Sequence, residues 1–191
     1  MTNIYSSYTD NVEVCAASKA SNFFNLRYVV IDVDGSLTDG SIYYDQFDNE
    51  LKKFSSKDAA GFFACKVTGI TPIILTGRES PMTTKRLSEL GVTNIYEGVS
   101  DKPTFLLNFI AKHNLSSSEL AYFGDDYNDF QAMKMCGTVG CPADSRLEIQ
   151  SIATYISSLR GGYGAFTDFV QFLLTDRCQW ESAIKNIYKI S

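Results

Sequence analysis

Three apolar runs in this chain each end in polar side chains, and the first of them constrains the fold most. Residues 28–31 read Tyr-Val-Val-Ile, a short run that is typical of a strand buried on both faces. Asp32 and Asp34 follow at once, and Gly35 permits a sharp turn. In open parallel sheets, ligands bind at the carboxyl ends of the strands. The run therefore predicts a site that contains both acids; the alternative is that Asp-x-Asp-Gly only makes a turn after a strand.

The same pattern recurs twice further along the chain. TPIILTGRES ends its apolar part at Thr76 and Gly77, and LAYFGDDYND runs into three acids. These acids are Asp125, Asp126 and Asp129. Helical patterns at AAGFFACKVTG, MTTKRLSELG and DKPTFLLNFIAKHN separate the apolar runs. Strands that alternate with helices predict an α/β fold, a three-layer sandwich with a mostly parallel central sheet.

Residues 41–55 hold two short segments, SIYYD and LKKFS, around a turn at Asp48 and Asn49. They predict a β-hairpin that projects from the sheet. With 191 residues, the chain is long enough for one domain with a substantial core. We expect that domain over residues 25–191. Residues 1–24 are then a polar N-terminal extension, in which residues 12–20 have the pattern of a short helix.

Composition excludes several classes of protein. The net charge is −5 and no basic cluster stands out, which argues against binding to nucleic acid. No stretch approaches the length needed to cross a bilayer, so we expect no membrane partner. The five cysteines are odd in number and lack C-x-x-C spacing, which suggests neither a disulfide framework nor a zinc site. We therefore expect a cytoplasmic protein in a reducing compartment.

The polar strand ends predict a magnesium site. Because the carboxyl ends of parallel strands share one edge of the sheet, Asp32, Asp34, Asp125 and Asp129 should lie close together. Carboxylates gathered in this way repel one another and require a cation. The expected ligands are all oxygens, without histidine or thiolate, which favours Mg²⁺ over zinc or copper.

Two further side chains indicate the chemistry. Lys102, at the start of a predicted helix, adds a positive charge, and Thr76 adds a hydroxyl donor. A cation, an ammonium group and a hydroxyl around an exposed carboxylate suit phosphoryl transfer, in which catalysis is mostly positioning and charge neutralisation. Each feature also has a plainer explanation. Thr76 could simply end a strand, Lys102 could be a solvated surface charge, and Asp125 and Asp126 could cap a helix.

Four motifs follow one another along the chain, namely D-x-D-G-x-L-T-D-G, L-T-G-R, D-K-P and G-D-D-x-x-D. Their order resembles the haloacid dehalogenase superfamily of phosphatases with an aspartate nucleophile. The segment YYDQFDNELKKFSSKDAAG and the later RGGYGAF resemble the small capless sugar-acid phosphatases of that superfamily. Members of this group act on octulosonate 8-phosphates or on nonulosonate 9-phosphates, so the resemblance implies a phosphorylated 2-keto sugar acid as the substrate.

The resemblance also implies roles for individual residues. Asp32 would be the nucleophile, and Asp34 would be the acid that protonates the leaving oxygen and then activates water. Asp32, Asp125 and the backbone carbonyl of Asp34 would hold Mg²⁺, with Asp126 or Asp129 behind them. Thr76, Gly77 and Lys102 would bind the phosphate.

Assembly is implied by the resemblance as well. The related phosphatases are tetramers in which a glycine-rich tail reaches the active site of the neighbouring subunit, so we expect a homo-oligomer, a tetramer, here. The chain departs from the group at Ala59, where glycine is common. It departs again at Thr167 and Asp168, where many members carry arginine and glutamate. These departures put the role of the tail in question.

Two functions of other classes compete with a phosphatase. A receiver-type phospho-acceptor domain also gathers aspartates, a threonine and a lysine around magnesium. In a receiver, however, the acidic pair ends the first strand and the acceptor lies on a later one, whereas here D-x-D comes first. The other alternative is a catalytically inactive scaffold, which is disfavoured because every chemical group is retained.

Arg78 is the candidate for substrate recognition. It follows Thr76 closely, and a guanidinium binds carboxylates in bidentate fashion, which would match a 2-keto sugar acid. By resemblance, an arginine here favours octulosonate 8-phosphate, whereas the hairpin and its LKKF segment favour nonulosonate 9-phosphates. We rank the octulosonate first. The plainer alternative is that Arg78 pairs with Glu79 on the surface or contacts the phosphate.

Overall fold

A wholly parallel six-stranded sheet forms the centre of the fold. The computed structural model describes residues 23–190. Its strands are β1 (Tyr28–Ile31), β2 (Tyr43–Tyr44), β3 (Glu50–Leu51), β4 (Thr71–Leu75), β5 (Ile95–Tyr96), β6 (Leu120–Phe123), β7 (Thr138–Cys141) and β8 (Tyr155–Ile156). The central sheet has the order β5-β4-β1-β6-β7-β8, so β1 lies in its middle. This position explains why Val29, Val30 and Ile31 are completely buried.

Seven helices accompany the strands in the described part of the chain. They are α1 (Asp58–Thr68), α2 (Pro81–Glu89), α3 (Lys102–His113), α4 (Tyr127–Met133), α5 (Leu147–Ile152), α6 (Ala165–Asp176) and α7 (Trp180–Tyr188). Two cores cover the two faces of the sheet. Val29 and Ile31 pack with α1, α6 and α7, whereas Val30 packs with α3, α4 and α5. This alternation along β1 follows from the pleat of a strand, and it confirms the predicted three-layer sandwich.

Local signals fix several element boundaries. Helix α1 ends at Gly69, which adopts a left-handed conformation with φ 78° and so suits glycine. Helix α3 begins after Asp101, whose carboxylate accepts a hydrogen bond from the backbone N–H of Thr104. Pro103 lies in the first turn of α3, where its missing donor costs nothing.

The hairpin is present but short. Strands β2 and β3 pair in antiparallel fashion with Tyr43 opposite Leu51 and Tyr44 opposite Glu50. An isolated bridge between Thr38 and Phe54 ties its base to the loop after β1. Between β1 and α1 the chain therefore carries a hairpin rather than a separate domain, as expected for a capless fold.

Some expectations need correction or remain untested. No sequence pattern described above predicted helix α5, and helices α6 and α7 are separated where Cys178 has φ 56°. Cys65 and two other described cysteines are free. Among residues 23–190, no helix is long and apolar enough to span a bilayer. The predicted helix at residues 12–20 lies outside the described residues, and the division into extension and domain stays a prediction.

Candidate active site

The strand register brings the predicted residues to one edge of the sheet. Ile31 at the end of β1 pairs with Ile74 on one side and with Phe123 on the other. The backbone N–H of Asp32 donates to the carbonyl of Phe123 at 2.9 Å. Asp32, Thr76 and Asp125 consequently all follow the carboxyl ends of neighbouring strands, as the sequence pattern predicted.

Three carboxylates meet at this edge and suit a hard divalent cation. One carboxylate oxygen each of Asp32, Asp125 and Asp129 lies within 4.8 Å of the others. Burial, followed by the charge of Asp129, raises the pKa of Asp32 to about 7. Burial and the charges of the other two acids raise the pKa of Asp125 to about 8. A divalent cation would stabilise the ionised form of these acids, and because their ligand atoms are all oxygens, Mg²⁺ fits the site.

Lys102 is the positive charge inside the cluster. Its side chain is completely buried at the start of α3, and its ammonium donates to Asp32 at 2.5 Å and to Asp129 at 2.7 Å. Burial alone would lower the pKa of Lys102, but the charges of Asp32 and Asp129 outweigh burial and raise it. Lys102 is therefore a fixed cation next to Asp32, and the plainer expectation of a solvated surface lysine is wrong.

Asp129 orients the cluster more than it offers ligand atoms. Its Oδ1 accepts hydrogen bonds from Lys102 and from the buried hydroxyl of Tyr122 at 2.8 Å. Its Oδ2 faces the backbone N–H groups of Asp125 and Asp126 at 3.2 and 3.4 Å. Although Asp129 lies close enough to hold a metal, these four donors already occupy both of its oxygens. We therefore give the direct contacts with a cation to Asp32 and Asp125 and place Asp129 behind them.

Gly35 lets the loop after β1 approach Asp125. It has φ 95°, and a Cβ atom at this position would lie 2.1 Å from Oδ2 of Asp125. A side chain here would push the second acid out of the cluster. The neighbouring Ser36 holds the same carboxylate by donating its hydroxyl to Oδ1 of Asp125 at 3.0 Å.

Asp34 contacts Lys52, a residue that the sequence analysis missed. Its Oδ1 accepts a hydrogen bond from the ammonium of Lys52 at 2.6 Å, and the Lys52 side chain is only 2% exposed. Lys53, the next residue, faces outward, where its ammonium lies 3.5 Å from the ring centroid of Tyr163. The alternation of a strand in LKKF could have indicated one inward lysine, but not which acid it would contact.

Arg78 is exposed at the rim of the site and is tied to the hairpin. Its guanidinium donates to Oε2 of Glu50 at 2.5 Å. The alternative expectation, in which Arg78 pairs with Glu79 on the surface, is wrong, because the acid that pairs with Arg78 is Glu50. Gly77 is exposed, and a Cβ atom at this position would have Val99 O as its nearest neighbour, at 3.8 Å. Thr76 beside it is buried.

Asp126 does not join the cluster. It caps the start of α4 by accepting from the N–H of Tyr127 at 2.8 Å, and it pairs with Arg146 at 3.2 Å. Its side chain is about half exposed, at 48%. Of the two acids predicted to stand behind the metal ligands, the structure thus brings Asp129 to the site and uses Asp126 as a helix cap.

The glycine-rich tail packs against the loop of its own chain that follows Asp32. A Cβ atom on Gly161 would lie 1.8 Å from the carbonyl oxygen of Gly35, and one on Gly162 would lie 2.5 Å from the backbone nitrogen of Asp39. Thr167 and Asp168 are also used within the chain. Thr167 hydrogen-bonds to Lys57 O and to Gly61 N, and Asp168 accepts from the hydroxyl groups of Tyr155 and Ser157.

Comparison with known proteins gives a consistent result. A family model described as haloacid dehalogenase-like hydrolase matches residues 88–160. The 3-deoxy-D-manno-octulosonate 8-phosphate phosphatase of Haemophilus influenzae is 31% identical over 150 residues, covering 78% of this chain and 83% of the relative. The phosphatase of the same name from Escherichia coli K12 is 33% identical over 150 residues, covering 78% and 80%.

A solved structure shows the same likeness in three dimensions. It is the crystal structure of 3-deoxy-D-manno-octulosonate 8-phosphate phosphatase from Moraxella catarrhalis in complex with a magnesium ion, a phosphate ion and KDO. Its TM-score is 0.82 at 31% identity, and the match covers 87% of this chain and 95% of that one. The chain therefore belongs to the haloacid dehalogenase-like hydrolases.

Proposed function

We propose that this chain is a magnesium-dependent phosphatase of a phosphorylated 2-keto sugar acid, with 3-deoxy-D-manno-octulosonate 8-phosphate as the first candidate. The observation that carries the proposal is the buried Asp32, which lies between the ammonium of Lys102 and the carboxylate of Asp125 at the carboxyl edge of the sheet. The names of the relatives point to the same substrate. Nonulosonate 9-phosphates are the second candidate, which the hairpin segment LKKF favours.

The residues divide the reaction between them. Asp32 attacks phosphorus and forms an aspartyl phosphate, while the bond between phosphorus and the sugar oxygen breaks. Asp34 gives its proton to that oxygen and then takes a proton from the water that hydrolyses the aspartyl phosphate. Lys102, Thr76 and the backbone at Gly77 hold the phosphoryl oxygens. When bound at Asp32 and Asp125, Mg²⁺ supplies the positive charge that an anionic substrate needs next to these acids.

A substrate panel tests the proposal. We expect phosphate release from octulosonate 8-phosphate at a kcat/KM at least about tenfold above that for glucose 6-phosphate, because one added charge-assisted contact contributes about 1.5 kcal/mol. Nonulosonate 9-phosphates belong in the same panel. If they are the better substrates, the second candidate replaces the first, and a preference for neutral sugar phosphates contradicts the substrate class.

Arg78→Ala tests which residue reads the carboxylate of the substrate. The Arg78 side chain is 43% exposed and pairs with Glu50 at the rim of the site, where the sugar of a bound substrate would lie. We expect kcat/KM for the acidic sugar phosphate to fall roughly tenfold, and that for a neutral sugar phosphate to change less than about threefold. Arg86→Ala, which removes an arginine that pairs with Glu89 on α2, is the matched control. Equal losses on both substrates would show that Arg78 does not read the carboxylate.

Assembly can be tested on the hairpin. The proposal includes a homotetramer, and the hairpin presents five exposed apolar side chains that a neighbouring subunit would cover, namely Ile42, Tyr43, Tyr44, Phe47 and Leu51. We expect light scattering at micromolar concentration to give the mass of four chains. Phe47→Asp should lower that mass, because Phe47 is 73% exposed and a charge there opposes burial. Leu107→Asp, an exposed leucine on α3, should not, and a fully active monomer would contradict the proposal.

A further inference from the structure

Lys52 is a buried cation that the proposed reaction does not yet use. It lies just after β3 at the base of the hairpin, with its side chain 2% exposed, whereas the side chain of Lys53 is 42% exposed. Lysine is almost never buried unless it is paired. Two acids face its ammonium: Asp34 at 2.6 Å and Glu50 at 3.6 Å. A lysine that is costly to bury and contacts Asp34 therefore needs a reason at this position.

The hairpin holds this ammonium in a fixed place. Glu50 and Lys52 are two residues apart on an extended segment, so their side chains leave the same face of it. The other oxygen of Glu50 is held by Arg78 at 2.5 Å. The result is a row of alternating charges that runs from Arg78 through Glu50 and Lys52 to Asp34. The row ties the hairpin and the loop after β4 to the loop that carries Asp34.

Lys52 is the hydrogen-bond partner of the Asp34 carboxylate among the described residues. Asp34 lies on the loop beyond β1, and its side chain is 27% exposed. A general acid must keep its carboxyl group within hydrogen-bond reach of the leaving oxygen, and a small displacement of a catalytic group lowers the rate strongly. The short contact with Lys52 restrains the orientation of the Asp34 carboxyl group.

We propose that Lys52 is a positioning residue, which acts through Asp34 by holding its carboxyl group where it can protonate the leaving oxygen. The inference rests on the role given to Asp34 in the proposed function. The inference concerns only the step in which the leaving oxygen is protonated. Attack by Asp32 on phosphorus, with Lys102 beside it, does not involve Lys52.

A series of aryl phosphates, from phenyl phosphate to 4-nitrophenyl phosphate, tests the inference. All carry the same phosphate and none carries a carboxylate, so they differ only in how much the leaving oxygen needs a proton. In Lys52→Met, which keeps an apolar stem of similar length, we expect kcat/KM for phenyl phosphate to fall roughly tenfold or more. General acid catalysis contributes about 10²- to 10⁴-fold, so this is a partial loss. For 4-nitrophenyl phosphate, whose anion leaves without a proton, we expect a loss of less than about threefold.

Three variants accompany this measurement. Lys53→Met is the matched control and should leave the whole series within about threefold of wild type. Asp34→Asn should show a steeper dependence on the leaving group than Lys52→Met, because it removes the acid itself. Glu50→Gln leaves Lys52 in place but weakens its second contact, so it should show a smaller loss of the same kind. It replaces Lys52→Met if thermal melting shows that the latter does not fold.

Each outcome of these measurements either supports or overturns the role of Lys52. A steeper dependence in both Lys52→Met and Asp34→Asn supports the inference. A uniform loss across the series in Lys52→Met, alongside a selective loss in Asp34→Asn, means that Lys52 only supports the fold and overturns the inference while the proposed function stands. A loss confined to octulosonate 8-phosphate makes Lys52 a substrate contact and also overturns it. If Asp34→Asn shows no selective loss, the proposed role of Asp34 fails, and the inference fails with it.

Discussion

Asp32→Asn is expected to reduce phosphate release roughly 10⁴-fold or more, as the loss of a nucleophile does in other enzymes with covalent intermediates. An amide cannot form the aspartyl phosphate, so the covalent step of the proposed reaction is lost. The fold should survive, because asparagine has nearly the same shape. Burial and the charge of Asp129 raise the pKa of Asp32 to about 7, so the metal-free protein disfavours the charge that this substitution removes.

Steady-state phosphate release and thermal melting check this expectation together. The melting temperature of metal-free Asp32→Asn should equal or exceed that of wild type, since Lys102 keeps its partner Asp129. Asp48→Asn is the matched control, because Asp48 lies in the exposed turn of the hairpin with φ 60°, which asparagine tolerates. Near-normal turnover by a folded Asp32→Asn protein would show that the nucleophile is a different group.

Removal of Mg²⁺ should produce the second largest effect. Without a cation, the phosphate would meet Asp32, Asp125 and Asp129, and Lys102 is the one ammonium that pairs with these acids within residues 23–190. We expect chelation to lower turnover more than about 100-fold, because a metal contributes several kcal/mol of charge stabilisation in the transition state. Added Mg²⁺ should restore activity. Full activity in a metal-free preparation, or tightly bound zinc in an active one, would contradict this expectation.

Binding of Mg²⁺ can also be measured without substrate, from the melting temperature of the protein. At a Mg²⁺ concentration of about 100 times Kd, binding stabilises the fold by about 2.7 kcal/mol. In a domain of this size that raises the melting temperature by about 5 to 10 °C. We expect this rise in wild type and its loss in Asp125→Ala, whereas Asp48→Asn should keep it. An equal rise in Asp125→Ala would remove Asp125 from the metal site.

The sequence predicted the site where topology alone decides which residues meet. Asp32, Thr76 and Asp125 follow the ends of strands β1, β4 and β6, and any parallel sheet with these strands as neighbours brings them to one edge. The placement of Lys102 also follows, since it begins the helix that precedes β6. Their roles in the reaction rest on chemistry that the proposed experiments test.

The remaining features depend on geometry that a pattern of residue types does not contain. The contacts of Lys52 with Asp34 and of Arg78 with Glu50 join the hairpin to two loops that are distant from it in sequence. Whether Asp126 or Asp129 faces the cluster is set by the cap of α4. Asp126 remains outside the helix as its cap, and Asp129 lies in the first turn, where it accepts a hydrogen bond from Tyr122.

The sequence analysis missed short elements because they contain too few residues to show a periodic pattern of apolar side chains. Helix α5 has six residues, and only Ile149 among them is fully buried, so no repeating apolar face marks it. The break between α6 and α7 falls at Cys178 rather than at glycine or proline, the residues that usually signal an end.

The contact between the glycine-rich tail and the loop after Asp32 has a consequence for the order in which the protein matures. Gly161 and Gly162 lie against Gly35 and Asp39, residues from opposite ends of the domain sequence. During synthesis, the amino-terminal part of a chain emerges first and waits for distant partners. The loop that bears the nucleophile can therefore reach its final packing only after the tail has left the ribosome. Strand β1, which precedes Asp32, is synthesised early, but the loop after it can be completed only once the tail is present.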